Sequence, residues 1–178
     1  MKYKLPLIVV DDMAVSRKFY EEVLNQRVII DYGANITFSG DFALQTKESW
    51  VNFIRKSEND VLFKSNNFEL YFEEDQFDEF VEDLKSFKVQ YVHNVIEYPW
   101  GQRVIRFYDP DMHIIEVGER METVVRRFIG QGLSIEETAE RTQQPVEFVK
   151  ACYESSSRWK MKISKINSPW KNAGGNFV

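Results

Sequence analysis

Side chains equipped for chemistry are few in this chain. It has two histidines, His93 and His113, and one cysteine, Cys152. A single cysteine excludes an internal disulfide framework and a multi-cysteine zinc site, and two histidines leave little material for a transition-metal centre. The informative groups are carboxylates in alternating stretches. Phe68, Leu70 and Phe72 form an apolar stripe, so Glu69, Tyr71 and Glu73 share the other face of one strand. Across 112–118, Met112, Ile114 and Glu116 share one face, and His113, Ile115 and Val117 the other. If Glu116 faces a site, His113 does not, unless a bulge shifts the register.

Glu69 and Glu116 therefore form a candidate carboxylate pair. Such a pair suits acid/base work, with Glu116 as the catalytic candidate, or a hard divalent cation, Mg2+ or Mn2+ rather than Zn2+ or Fe2+. Two blander readings stay open: glutamates at a water-filled recess, one paired with an arginine, or direct recognition of a cationic ligand group. Arg103 and Arg106 lie at odd separation and face opposite ways. Ile105 and Phe107 make an apolar stripe that turns Arg106 toward Glu116 and leaves Arg103 for the surface. Trp50, Phe53, Tyr71, Tyr98 and Trp100 are candidate pocket aromatics, Trp100 beside Gly101 being the best placed for a rim. His93 is a candidate general base in the sixth strand, read against a structural or exposed histidine, and Cys152 reads as a buried, inert thiol.

The elements that must position these groups follow from periodicity. Residues 4–10 are apolar and β-branched and predict a buried strand. Asp12 predicts the N-cap of an amphipathic helix over 13–24. Strands are predicted at 27–32, 34–39 and 41–46, and 47–66 reads as a loop with one helical turn. The order then recurs: a strand at 68–73, a helix at 76–87, and strands at 89–97, 102–108 and 112–118. Asp109-Pro110-Asp111 is a strong turn signal between the last two. Strand, helix, strand, strand, strand appears twice.

Charge is uneven. The net charge is −5, yet residues 155–178 hold Arg158, Lys160, Lys162, Lys165 and Lys171 and no acid, so the rest of the chain carries −10. An acidic body argues against phosphate-backbone binding and favours a neutral or cationic small ligand. No run of 18 apolar residues is present, and the N-terminal apolar stretch meets Asp11 and Asp12 too soon for a signal peptide, so a cytoplasmic protein is expected.

The words VVDDMAVSRKFYEEVLN at 9–25 and PWGQRVIRFYDPDMHIIEVGE at 99–119, set in this duplicated order, resemble the vicinal oxygen chelate superfamily of glyoxalases, bleomycin-resistance proteins and ring-cleaving dioxygenases. The resemblance implies an α+β fold in which two βαβββ modules form a cup of mixed sheet with outer helices. In these terms residues 1–120 are one domain of two modules, about 1–66 and 67–120, followed by a helical extension at 121–154 and a basic flexible tail at 155–178. Metal-using members take ligands from the first, fourth, fifth and eighth strands. The resemblance puts Leu5, Gln45, Glu69 and Glu116 at those positions, so the set is incomplete and Gln45, Glu69 and Glu116 are the only candidate donors.

The function implied is binding of a small organic molecule in the cup, contacting Glu69, Tyr71, Trp100, Arg106 and Glu116. The alternative is a metal-dependent lyase or isomerase of glyoxalase type. In the extension, Ser134 and Glu137 form a capping box and Pro145 suits the first turn of a further helix. This array resembles helix-turn-helix segments, but its second helix carries Glu147, Lys150 and Glu154 and would read a major groove poorly. Packing against the domain or a second copy is the better role, and a homodimer is expected.

Overall fold

The computed structural model describes residues 1–155. The basic tail foreseen at the C-terminus falls, beyond Ser155, outside the described residues. In chain order the elements are β1 (Leu7–Val10), α1 (Met13–Glu22), β2 (Val28–Asp31), β3 (Asn35–Phe38), β4 (Ala43–Thr46), α2 (Lys47–Ile54), a 3-10 turn (Glu58–Asp60), β5 (Glu69–Glu74), α3 (Phe77–Leu84), β6 (Tyr91–Glu97), β7 (Arg103–Tyr108), β8 (Ile114–Glu119), α4 (Met121–Gly130) and α5 (Ile135–Thr142). Residues 146–155 form a further helical stretch.

Eight strands form two four-stranded sheets, ordered β1-β4-β3-β2 and β5-β8-β7-β6. Numbered within its own module, each sheet has the same order, so the duplicated pattern is a duplicated topology. In the first sheet β1 runs parallel to β4, while β3 is antiparallel to both β4 and β2. The fold is α+β, as the residue pattern required.

Alternation decides the faces. In β1, Ile8 and Val10 are buried in the core, and Leu7 and Val9 point the other way. The register pairs Val9 with Gln45 and Asn35 with Gln45, so these three share the face opposite the core. α1 starts where Asp12 accepts from the backbone N–H of Ala14 at 2.8 Å and of Val15 at 3.1 Å, a cap worth about 1 kcal/mol. Its Tyr20 and Leu24, with Phe77 and Leu84 of α3, join Ile36, Phe38, Leu44, Leu70, Phe107 and Ile115 in one core built from both modules. Each such side chain contributes roughly 1.5–3 kcal/mol on burial.

Two compact units emerge among the described residues: Met1–Ile96 with Ile105–Gly118, and Glu97–Val104 with residues 119–155. The first unit holds the two-module core. The second has its own small core of Val125, Ala139, Val149 and Cys152, with Ile129, Ile135, Val146 and Phe148 packed on it. α5 begins at a complete capping box between Ser134 and Glu137. Cys152 is buried, and burial pushes its thiol pKa up.

Two expectations are corrected. Residues 47–54 are a two-turn helix rather than a loop. Trp50 and Ile54, four apart, share a face; Ser49 Oγ donates to the Thr46 carbonyl at 3.0 Å, and Arg55 closes the end in the left-handed region at φ 53°. Arg103 is not simply a surface residue. It pairs with Glu119, which is 1% exposed, through Nε at 3.1 Å and Nη2 at 3.2 Å.

Candidate functional site

The second sheet places four chemically active side chains in a row on the face away from the core. Arg106 of β7 donates through Nε to Glu69 Oε2 of β5 at 3.0 Å, and its Nη2 pairs with Glu116 Oε2 of β8. On its other side Arg106 Nη1 lies 3.2 Å from His93 Nε2 of β6, whose Nδ1 is 2.7 Å from the Asn94 carbonyl. Glu116 is buried and Arg106 half-buried, whereas Glu69 is more open to solvent. Tyr71 and Glu73 continue the same face of β5, with the Tyr71 hydroxyl donating to Glu73 Oε1 at 3.0 Å.

Parity thus foresaw Glu69, Tyr71, Arg106 and Glu116 on one face, and the structure brings Glu69, Arg106 and Glu116 into direct contact. The contact of His93 with Arg106 was not foreseen. Its signal lay in the parity of the two residues on strands that only the strand order makes neighbours.

Gln45 stands on the first sheet and accepts from Asn35 Nδ2 at 2.9 Å, while its own amide donates to Ser49 Oγ. Trp100 belongs to the second unit, where it stacks on Tyr98 with ring centroids 4.5 Å apart and donates to Gln102 Oε1 at 3.1 Å. Of the other aromatics, Phe53 is largely exposed and Trp50 lines a cavity.

The turn at Asp109-Pro110-Asp111 does more than reverse the chain. Asp109, 3% exposed, accepts from the backbone N–H of Asp111 and His113 at 2.9 and 2.8 Å, and from the Tyr20 hydroxyl at 2.9 Å. The His113 ring nitrogen Nδ1 sits 2.8 Å from its Oδ2. Asp111 accepts from the Asp11 backbone N–H and from Ser16 Oγ, each at 2.9 Å. Burial raises the Asp111 carboxyl pKa, and burial followed by the Asp109 charge raises the Tyr20 hydroxyl well above its ordinary value. His113 stays out of the carboxylate row, as strand parity required, because the ring is held on Asp109.

In the second unit the Trp-Gly-Gln turn is fixed by the extension. Gly101 has φ +83°, and a Cβ there would stand 2.2 Å from Cε2 of Phe128. Arg127 donates to the Gly101 carbonyl and, at 3.1 Å, to Glu119 Oε2. The Gln102 amide donates to the Glu119 carbonyl at 3.0 Å.

The family model for the glyoxalase-like domain matches residues 3–122. The chain belongs to the glyoxalase-like domain family.

This glyoxalase-like chain is similar to the crystal structure of a protein of unknown function from Agrobacterium tumefaciens, at 33% identity and TM-score 0.60, over 67% of this chain and 94% of that one. It shares its fold with a glyoxalase/bleomycin resistance protein/dioxygenase family enzyme from Burkholderia phytofirmans, at 14% identity and TM-score 0.58, over 65% and 96% of the two chains. It also shares its fold with lactoylglutathione lyase from Agrobacterium tumefaciens, at 17% identity and TM-score 0.52, over 68% and 96%. No curated protein matches the chain. These findings agree with the vicinal oxygen chelate superfamily that the motifs resemble.

The metal chemistry of that superfamily meets a poor donor set in this glyoxalase-like domain. Leu5, expected at the first-strand position, precedes β1, and the β1 residues that face away from the core, Leu7 and Val9, offer no donor. Gln45 is engaged with Asn35 and Ser49, and the cation Arg106 already stands between Glu69 and Glu116. Among the described residues no group of three or more His, Cys, Asp and Glu is arranged to hold a metal ion. The residues present do not fit a metal site of the superfamily's kind.

Proposed function

We propose that this glyoxalase-like domain binds a small organic molecule over the Glu69–Glu116–Arg106–His93 row, with the guanidinium in the place where a metal-using relative would hold its ion. The observation that supports this reading is the Arg106 bridge. It holds two carboxylates together without a metal, and it leaves Glu69, Tyr71 and Glu73 on the exposed strand β5 to meet a ligand. Three carboxylates against one guanidinium leave this face negative, so the favoured ligand is cationic or rich in hydrogen-bond donors. Glu116, buried and fixed on Arg106, orients the guanidinium.

The test is a thermal-shift screen of small amines against carboxylates of matched size, with metal analysis of untagged protein. Amines should raise Tm more than carboxylates, and Glu69→Gln should reduce that effect. About one transition metal per chain, or stabilisation chiefly by carboxylates, would overturn the proposal. Assembly as a homodimer belongs to the same proposal. It is supported by Tyr91, Val92, Val95 and Ile96 exposed on edge strand β6 and by Ile29 and Ile30 exposed on edge strand β2. Light scattering at the monomer mass at tens of micromolar protein would exclude it. No helix among the described residues is long and apolar enough to cross a membrane.

A further inference from the structure

We infer that the basic C-terminal segment, residues 158–171, docks in an acidic groove between the end of α1 and α3 of its own chain. A cavity of about 440 Å3 lies there, and one of about 230 Å3 adjoins it through Val23, Asn25, Glu74 and Phe80. Together they form one groove within the first unit. None of Glu69, His93, Arg106 and Glu116 lines it.

Its lining is partly apolar and otherwise strongly acidic. Val23 and Phe80, packed against the core, and half-buried Phe87 supply the apolar part. Glu22, Glu74, Glu79 and Asp83 supply carboxylates, and no lysine, arginine or histidine is among the lining residues. Glu22 has only Lys18 Nζ, at 4.0 Å, and Glu74 Oε1 accepts from the Gln76 backbone N–H at 2.8 Å. Glu79 and Asp83 stand one helical turn apart, a spacing at which like charges destabilise a helix. The last turns of α1 and α3 hold no basic residue, yet they carry Glu22 and Asp83 beside the negative pole of each helix. A cation in the groove removes repulsion that these described residues leave uncompensated.

The chain carries the complement of this groove in its own sequence. Residues 158–171 hold Arg158, Lys160, Lys162, Lys165 and Lys171 and no acid. Trp159, Met161 and Ile163 follow the first three of these cations in strict alternation. An extended segment with that alternation turns its apolar side chains to one side, to cover Val23, Phe80 and Phe87, while the long basic stems bend to the carboxylates at the rim. At about 3.3 Å per residue, positions 163–171 can lie roughly 25–50 Å from Ser155. Attachment to the same chain gives the segment a local concentration on the order of millimolar, so contacts too weak to hold a free peptide suffice.

The test uses the full chain. Unlabelled and 15N-labelled protein are mixed, left to exchange and treated with a carbodiimide, which joins a lysine amine to a carboxylate in contact with it. Mass spectrometry of the linked peptides should find Lys160, Lys162 or Lys165 joined to Glu22, Glu74, Glu79 or Asp83, in pairs of a single label. Trypsin should cut after residues 158–165 at least fivefold more slowly than in a synthetic peptide of residues 156–172. About 0.5 M NaCl, which shortens the screening length, should remove most of that protection. Glu79→Gln/Asp83→Asn should keep the wild-type Tm or exceed it, and should lose the links and the protection. Trp159→Ser, which alters no residue of either core, should weaken the protection at unchanged charge. Glu69→Gln should change neither readout, which separates the groove from the proposed row. Links only to other carboxylates, links mainly in mixed-label pairs, cleavage as fast as in the free peptide, or protection that survives in Glu79→Gln/Asp83→Asn or in Trp159→Ser would overturn the inference.

Discussion

The Tyr20 hydroxyl donates to Asp109 Oδ2 across 2.9 Å and 89 positions of sequence, tying the helix of the first module to the turn of the second. Both groups are buried, and the bond belongs to a set in which Asp111 receives Ser16 Oγ and the Asp11 backbone N–H. The two copies of the repeat are joined by polar bonds as well as by the shared core.

Tyr20→Phe keeps the ring and removes that donor. The variant should lose about 1–2 kcal/mol of stability, the cost of under-satisfying a buried carboxylate. Urea unfolding should show a lower midpoint at unchanged m value. An unchanged midpoint would mean that the Tyr20–Asp109 bond adds nothing to the hold between the modules.

Asp111 gives this latch a pH signature. Its carboxyl pKa is raised in the folded protein, chiefly by burial, so folding favours the protonated form. This contribution is fully present below the unfolded value of about 3.9 and is lost as pH rises through the higher folded value. Relative to Asp111→Asn, the wild type should be most favoured near pH 3.5 and should lose ground by pH 7. A stability difference between the two proteins that is flat from pH 3 to 7 would exclude the linkage.

Gly101→Ala should destabilise the second unit by about 2 kcal/mol or more. Strain at positive φ adds to a collision between the new Cβ and the Phe128 ring. The same substitution in a Phe128→Ala background should cost less, because only the backbone strain remains. Equal Tm losses in the two backgrounds would show that the ring is not the obstacle.

Glu119→Gln should cost about 2–4 kcal/mol. The charge of a carboxylate that is 1% exposed is removed from between Arg103 and Arg127, both of which pair with it. Thermal unfolding followed by tryptophan fluorescence measures this, and a loss below about 0.5 kcal/mol would show the network to be redundant.

Arg106→Ala should do two things at once. Stability should fall by about 2 kcal/mol, since buried Glu116 loses its partner beside Glu69. The freed carboxylate pair should then gain stabilisation from millimolar Mg2+, a response the wild type should lack. A wild-type protein already stabilised by Mg2+ would contradict the view that Arg106 fills that place.

Sequence by itself determined the repeat and the faces. Alternation in Phe68–Phe72 and in Ile105–Phe107 put Glu69, Tyr71, Arg106 and Glu116 on one side of their strands, because a pleated strand leaves a residue only two sides to choose from. The Asp12 cap and the Ser134–Glu137 box were equally legible, because capping is a local exchange of hydrogen bonds. Tertiary structure decided what periodicity does not encode. His93 meets Arg106 only because β6 is laid beside β7, and Arg106 reaches Glu69 only because β8 lies between β5 and β7. Asp109 and Asp111 looked like turn formers, and their second role needed Tyr20 and Ser16, some 90 positions away, to arrive at the turn. Helix α2 escaped the pattern because a two-turn helix offers too few apolar positions to set a period, and its contacts with β1 and β4 hold it in place. Strand parity is a property of adjacent residues, whereas the partner a side chain meets is set by strand order and burial, which belong to the whole fold.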